Sequence, residues 1–302
     1  MLRFQRTIKK PAFCEGIGLH SGRQVRMTLK PAPVNAGITF VRTDLGGVEI
    51  TAIASNTAAT SYATTLSQNG ASVQTVEHLL AAFAGLGIDN IVVELDGAEA
   101  PVLDGSAGPF VRLIADAGVQ NQEKPRPMLK VLRPVIVREG NKQLAIWPSE
   151  MPSISYFIDF NHPMLKEQSF NYTVSEEDFI REIADARTFG FLSDVQTLRA
   201  NGRAKGGSME NAVILGDQTV LNEDGLRYQD EFVRHKILDL IGDLFLAGMP
   251  IIGHVVAHKS GHGLNTKLAA KLLENPQNWI LVGSSDEAEM PQEPAYQYQM
   301  AL

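Results

Sequence analysis

A single cysteine, Cys14, stands among 302 residues. No intrachain disulfide and no cysteine-rich zinc site can form, so any bound metal must rest on histidine and carboxylate. Positive charge is also short: 27 Lys and Arg against 34 Asp and Glu leave a formal net charge of −7. That balance argues against a general nucleic-acid role, although a local cluster of Lys and Arg can still hold an anionic small molecule. Long apolar runs are missing. Residues 79–88 and 251–257 fall well short of the roughly 18 apolar residues that a membrane span requires. The stretch Met1 to Lys10 is basic, but Pro11-Ala12-Phe13-Cys14-Glu15-Gly16 supplies no apolar region after it. No signal peptide is therefore expected, and the expected compartment is the cytoplasm. With no heptad and no long exposed strand edge, a monomer is the default.

What is present is a globular balance, 44% apolar and 20% charged, over a length that suffices for two domains with a core each. Val25, Met27 and Leu29 alternate with polar residues, and residues 37–41 follow a proline-rich turn, which reads as two antiparallel strands. Residues 75–86 have helical spacing and end at Gly85 and Gly87, and residues 88–95 read as a strand. Asp104-Gly105-Ser106 opens a helix running to Gly118. Residues 119–127 lack apolar periodicity and contain two prolines, so the domain boundary is placed there, giving domains 1–123 and 128–302. The second half restarts with strands at 129–137, 143–147, 154–160 and 170–174, and Ser175-Glu176-Glu177-Asp178 resembles a capping box. Residues 211–215 read as a strand, 230–247 as a helix, 251–257 as a strand and 265–273 as a helix. From Ser284 onward the chain is polar and is expected to be loosely held. Glu77-His78 in the first half and Arg234-His235 in the second both lead through a helix and a glycine into a strand. Such an echo is what a duplicated α+β unit would leave, and it would bring the two histidines together where the halves meet.

The helix around His235-Lys236-Ile237-Leu238-Asp239 carries the chemistry. At about 3.6 residues per turn, His235 and Asp239 lie one above the other, with Gly242 and Asp243 continuing the stripe. The opposite face holds Ile237, Leu240, Ile241, Leu244 and Phe245, so the stripe is expected to be buried. A buried imidazole with two carboxylates must be satisfied. One solution is hydrogen bonding to Arg or Lys; the other is a divalent metal, on which His and carboxylate at i and i+4 converge. His78 is a candidate third ligand, and Glu77 beside it is either a base or a simple complement to the helix N-terminus. His262, in the glycine-flanked loop Lys259-Ser260-Gly261-His262-Gly263, is a candidate acid, with Asp243 holding it charged. His162 precedes Pro163 in a turn and is expected to be exposed; His254 and His258 are expected to be satisfied or solvated, and His20 to be structural.

Several motifs occur together and in one order: Thr75-Val76-Glu77-His78-Leu79, Asp104-Gly105-Ser106-Ala107, Ala186-Arg187-Thr188-Phe189-Gly190-Phe191, Leu221-Asn222-Glu223-Asp224-Gly225-Leu226-Arg227, His235-Lys236-Ile237-Leu238-Asp239 and Lys259-Ser260-Gly261-His262. From about Gln5 to Val282 the chain resembles the UDP-3-O-acyl-N-acetylglucosamine deacetylases, zinc enzymes of lipid A synthesis in Gram-negative bacteria. The resemblance implies an α+β fold of two similar domains whose helix layers face each other in a β-α-α-β sandwich, with the active site between them. It implies Zn²⁺ (or Fe²⁺, which accepts the same donors) on His78, His235 and Asp239, Glu77 as base and His262 as acid supported by Asp243. Thr188 would help stabilise the oxyanion. Lys236 would lie near the same centre and the anionic diphosphate. An insert in the second domain would form a passage for the fatty acyl chain, with Phe189, Phe191, Leu198 and Val213 as its lining, and Leu19 would lie near the sugar. Ala63 stands where many relatives place a small or sulfur-bearing residue, so no thiolate can reach the metal from there. The implied reaction removes the N-acetyl group from an acylated UDP-sugar and releases acetate. Two rivals remain open: a zinc amidase of other acyl amides, and a catalytically dead relative that binds the sugar nucleotide.

Overall fold

The computed structural model describes residues 3–283. The expectation for the chain from Ser284 onward lies outside the described residues.

Alternating side chains build two five-stranded sheets. In the first half the strands are β1 (Ala12–Ile17), β2 (Gln24–Pro31), β3 (Ile38–Arg42), β4 (Val48–Thr51) and β5 (Ile91–Leu95), in the order β1-β2-β5-β3-β4. In the second half they are β6 (Val135–Glu139), β7 (Lys142–Trp147), β8 (Ser153–Ile158), β9 (Gln168–Thr173) and β10 (His254–His258), in the order β6-β7-β10-β8-β9. Both sheets thus insert their last strand at the centre, antiparallel to the second and parallel to the third. The expected neighbours β2 and β3 run in opposite directions but do not pair, because β5 lies between them. Strands on either side of a βαβ-type crossover must leave room for the returning strand.

Helices α1 (Glu77–Leu86) and α2 (Gly108–Ala117) cover the first sheet. The second carries α3 (Leu192–Ala200), in the insert, and α4 (Glu231–Phe245) and α5 (His262–Glu274), which pack on the sheet itself. Apart from Ala84 and Gly85, α1 is buried throughout, and α4 is buried on nearly every face. These two helices lie against each other between the sheets, which gives the β-α-α-β layering. Gly242 permits their close approach: a β-carbon there would lie 2.8 Å from the carbonyl carbon of Glu77 and 3.1 Å from the nitrogen of Ala81. Gly87, at φ 67°, caps α1 with its N–H on the carbonyls of Phe83 and Ala84.

Three segments differ from their sequence reading. Residues 119–127 are not an irregular linker: Val119–Pro125 is a strand paired with Phe4–Ile8. It buries no apolar face, so its sequence carries no alternation. The single strand expected at 129–137 is two, Met128–Val131 and Val135–Glu139, in different sheets. Pro134, which has no N–H to donate, stands between them. Likewise 251–257 divides at Gly253 into Ile251–Ile252 and β10. No helix among the described residues is long and apolar enough to cross a membrane.

Candidate metal centre and the cavity beside it

The first turn of α1 and the middle of α4 place His78, His235 and Asp239 with their donor atoms within 4.8 Å of one another. Asp239 Oδ1 lies 3.3 Å from His235 Nε2 and 3.5 Å from His78 Nε2. All three side chains are buried, and Asp239 Oδ1 accepts no hydrogen bond. Donors bonded to a tetrahedral ion at ~2.0–2.1 Å lie about 3.3–3.4 Å apart, so the two distances to Asp239 and its orphaned oxygen fit a small divalent metal. His235 Nδ1 faces the Ala186 carbonyl at 3.0 Å, which turns Nε2 toward the centre. Burial pushes the His235 imidazole down to about 3 even with Asp239 beside it, so it is held as the neutral, ligating form. Burial would raise the Asp239 carboxyl, but His235, Lys236 and His262 outweigh it and hold the group well below the usual carboxylate range. Lys236 Nζ donates to Asp239 Oδ2 at 2.6 Å.

Glu77 and His262 face each other across this centre, with His262 Nε2 3.9 Å from Glu77 Oε1. Burial pushes the Glu77 carboxyl up, against the pull of His262 and His78. Burial disfavours a charge on His262, but Asp243, Asp239 and Glu77 outweigh it and raise the imidazole to about 9. Its Nδ1 sits 2.8 Å from Asp243 Oδ2, which also accepts from Asn265 Nδ2 at 2.9 Å. Ser260 Oγ in turn donates to Asn265 Oδ1 at 2.7 Å, and the Tyr156 hydroxyl donates to the Ser260 carbonyl at 2.8 Å.

The segment after Ala186 forms the wall. Arg187, 2% exposed, donates to Glu231 from its N–H and Nε (both 2.9 Å) and to Asp224 at 2.8 Å. This anchors Ala186 and Thr188 against the start of α4. Phe189–Phe191 pairs in parallel with Val213–Leu215. A cavity of about 280 Å³ holds Glu77, His78, His235, Lys236, Asp239, His262 and Thr188 along its lining. A more apolar cavity of about 320 Å³ adjoins it and shares Leu19, Tyr62, Thr188, Phe189, Phe191 and Leu198. Val213 does not line either one. It is fully buried behind the strand, while its neighbours Ala212 and Ile214 reach the apolar cavity, as alternation in an extended segment requires.

Other histidines sort themselves by contact. His162, expected to be exposed, is buried, with Nε2 2.7 Å from the Gly216 carbonyl and Nδ1 accepting from the Met164 N–H. His254 meets Ser155 Oγ at 3.0 Å, and His258 is exposed. His20 is buried in the loop before β2, its backbone N–H on Glu99. Ala63 is buried, and the residue after it, Thr64, reaches both Glu77 and Asp243. Nothing about Thr64, Asn265 or the Ala186 carbonyl stood out in the sequence.

The family model for LpxC, UDP-3-O-acyl N-acetylglycosamine deacetylase, matches residues 5–274. A protein of Myxococcus xanthus (strain DK1622) is 53% identical over 92% of this chain and 89% of its own length. Proteins of Hahella chejuensis and Marinobacter nauticus are 49% and 51% identical, over 95% of this chain and 96% and 95% of theirs. All three are named UDP-3-O-acyl-N-acetylglucosamine deacetylase. Half of all residues shared over nearly the full length, together with a family match spanning both sheets, leaves one assignment: the chain belongs to the UDP-3-O-acyl-N-acetylglucosamine deacetylase family of enzymes.

Proposed function

We propose that this protein hydrolyses the N-acetyl amide of UDP-3-O-(3-hydroxyacyl)-N-acetylglucosamine, giving acetate and the free glucosamine, the step that commits a Gram-negative cell to lipid A. The reading makes it a cytoplasmic monomer of two domains, 1–123 and 128–302, with Zn²⁺ on His78, His235 and Asp239. One observation carries it: a buried His₂Asp triangle with an orphaned oxygen lies between a carboxylate and a charged imidazole, at the end of an apolar cavity. Zn²⁺ bound there supplies Lewis acidity, making water acidic near neutrality and polarising a carbonyl; Fe²⁺ accepts the same donors.

The chain's own residues divide the rest of the work. Glu77, its pKa raised by burial, takes a proton from the attacking water as the C–O bond forms. His262, charged near neutral pH, gives its proton to the leaving nitrogen as the C–N bond breaks, and Asp243 keeps the ring oriented. Thr188, on the cavity wall, helps to stabilise the negative charge that develops on the carbonyl oxygen, and Lys236 on the same wall lies near that centre and the anionic diphosphate. Leu19, Phe189, Phe191 and Leu198 hold the sugar and the acyl chain.

Acetate release from the acylated UDP-sugar, measured with and without a chelator, tests the assignment. Chelation is expected to abolish turnover and Zn²⁺ to restore it. Glu77→Ala should keep the metal and lose about 10²–10⁴-fold in kcat, whereas Asp239→Ala should lose the metal itself. Turnover that a chelator leaves untouched would overturn the metal, and equal turnover of simple acyl amides would overturn the substrate.

A further inference from the structure

Thr64 is wholly buried, in a short turn between Tyr62, whose φ is 69°, and the strand Thr65–Gln68. Its backbone N–H donates to Glu77 Oε2 at 3.0 Å. Its hydroxyl donates to Asp243 Oδ1 at 2.5 Å, the short distance of a hydrogen bond to an ionised acceptor. A buried threonine usually satisfies its hydroxyl on a nearby backbone carbonyl. Here it crosses from the first half to a carboxylate 179 residues later, while its own carbonyl accepts from Val76 N–H at 3.4 Å.

We propose that Thr64 is a positioning residue that sets the distance between base and acid. The inference rests on the roles given above to Glu77 and His262. Glu77 comes from α1 and His262 from α5, so apolar packing alone would otherwise decide how far apart they stand. Asp243 Oδ2 is taken by His262 and Asn265, and among the described residues Thr64 is the donor to Oδ1. With both oxygens held, the carboxylate cannot turn about its axis, and the imidazole it orients cannot swing. The same residue fixes one oxygen of Glu77 and leaves the other, Oε1, toward His262 Nε2.

Three variants test this in the zinc-loaded enzyme. Thr64→Val keeps the backbone N–H and the side-chain shape but removes the hydroxyl. It is expected to lose about 10- to 100-fold in kcat, the size of effect that an ångström of misplacement produces, with KM and bound zinc close to wild type. Its melting temperature should be lowered by the buried oxygen left without its donor, but with the fold intact at the assay temperature. Thr64→Ala, free of the second methyl, should fall by a similar factor, and Thr64→Ser should recover most of the loss. The proposal is overturned if Thr64→Val or Thr64→Ala turns over like wild type, if Thr64→Ser is as impaired as they are, or if the loss follows lost zinc or lost fold. Glu77→Ala, run alongside, separates the two readings. If it keeps full turnover, the base assignment fails; if it is inactive while Thr64→Val is not, only the role of Thr64 fails.

Discussion

His262 owes its charge to its neighbours. Buried alone it would be neutral; with Asp243 at 2.8 Å and two further carboxylates near, its pKa lies at about 9 against an ordinary 6.5. Because the folded value is the higher one, the charged ring stabilises the metal-free protein fully below pH 6.5, and that contribution disappears as the pH rises through about 9. Urea titrations of the metal-free protein should therefore show stability falling across this window, and His262→Gln should flatten the slope. An unchanged slope in the variant would assign the titration to another group. At this scale the sequence was informative where the residue types are scarce and chemically loud. Seven histidines in the whole chain, one of them at i, i+4 from Asp239 and another beside Glu77, pointed to the centre. Thr64 and Asn265 have neutral side chains and reach Asp243 from 179 and 22 residues away, and the Ala186 carbonyl that orients His235 has no letter at all. His162 misled for the opposite reason: a His-Pro turn looks exposed, but its ring is covered and bonded to Gly216.

Between elements, the decisive contact is α1 on α4. A methyl group at Gly242 would fall inside the radius of the Glu77 carbonyl oxygen. Ala favours a helix interior over Gly by about 1 kcal/mol, whereas overpacking a fixed core costs roughly 1–3 kcal/mol. The clash is with backbone, which no rotamer change relieves, so the second effect should win. Gly242→Ala is expected to melt earlier and to bind zinc more weakly, since it displaces the very turn that carries Glu77 and His78. Calorimetry and a zinc titration check both, and a variant that melts later with unchanged affinity would refute the argument. Both helices could be read from their periodicity because each buries a broad apolar face. The strands were harder to delimit. Pro134 and Gly253 divide what alternation alone had joined, and the paired ribbon Val119–Pro125 has polar side chains that say nothing of its partner Phe4–Ile8.

At the scale of the molecule, the two halves repeat one strand order and one sequence of pairing directions. The faint echo between Glu77-His78 and Arg234-His235 was its trace in the sequence. Repetition does not make the halves independent. One continuous apolar cluster joins the two halves, with Leu79, Leu80 and Phe83 of α1 and Ile237, Leu238 and Leu240 of α4 all fully buried within it. The proposed metal ligands also come from both sides, His78 from one and His235 with Asp239 from the other. An ion at about a hundred times its Kd adds roughly 2.7 kcal/mol to the folded state. It strengthens a joint that apolar burial has already made. The chelated protein should therefore melt at a lower temperature but still in one transition, and Asp239→Ala should erase the difference between chelated and zinc-saturated samples. Two resolved transitions on chelation would mean that the ion, and not the α1–α4 contact, holds the halves together.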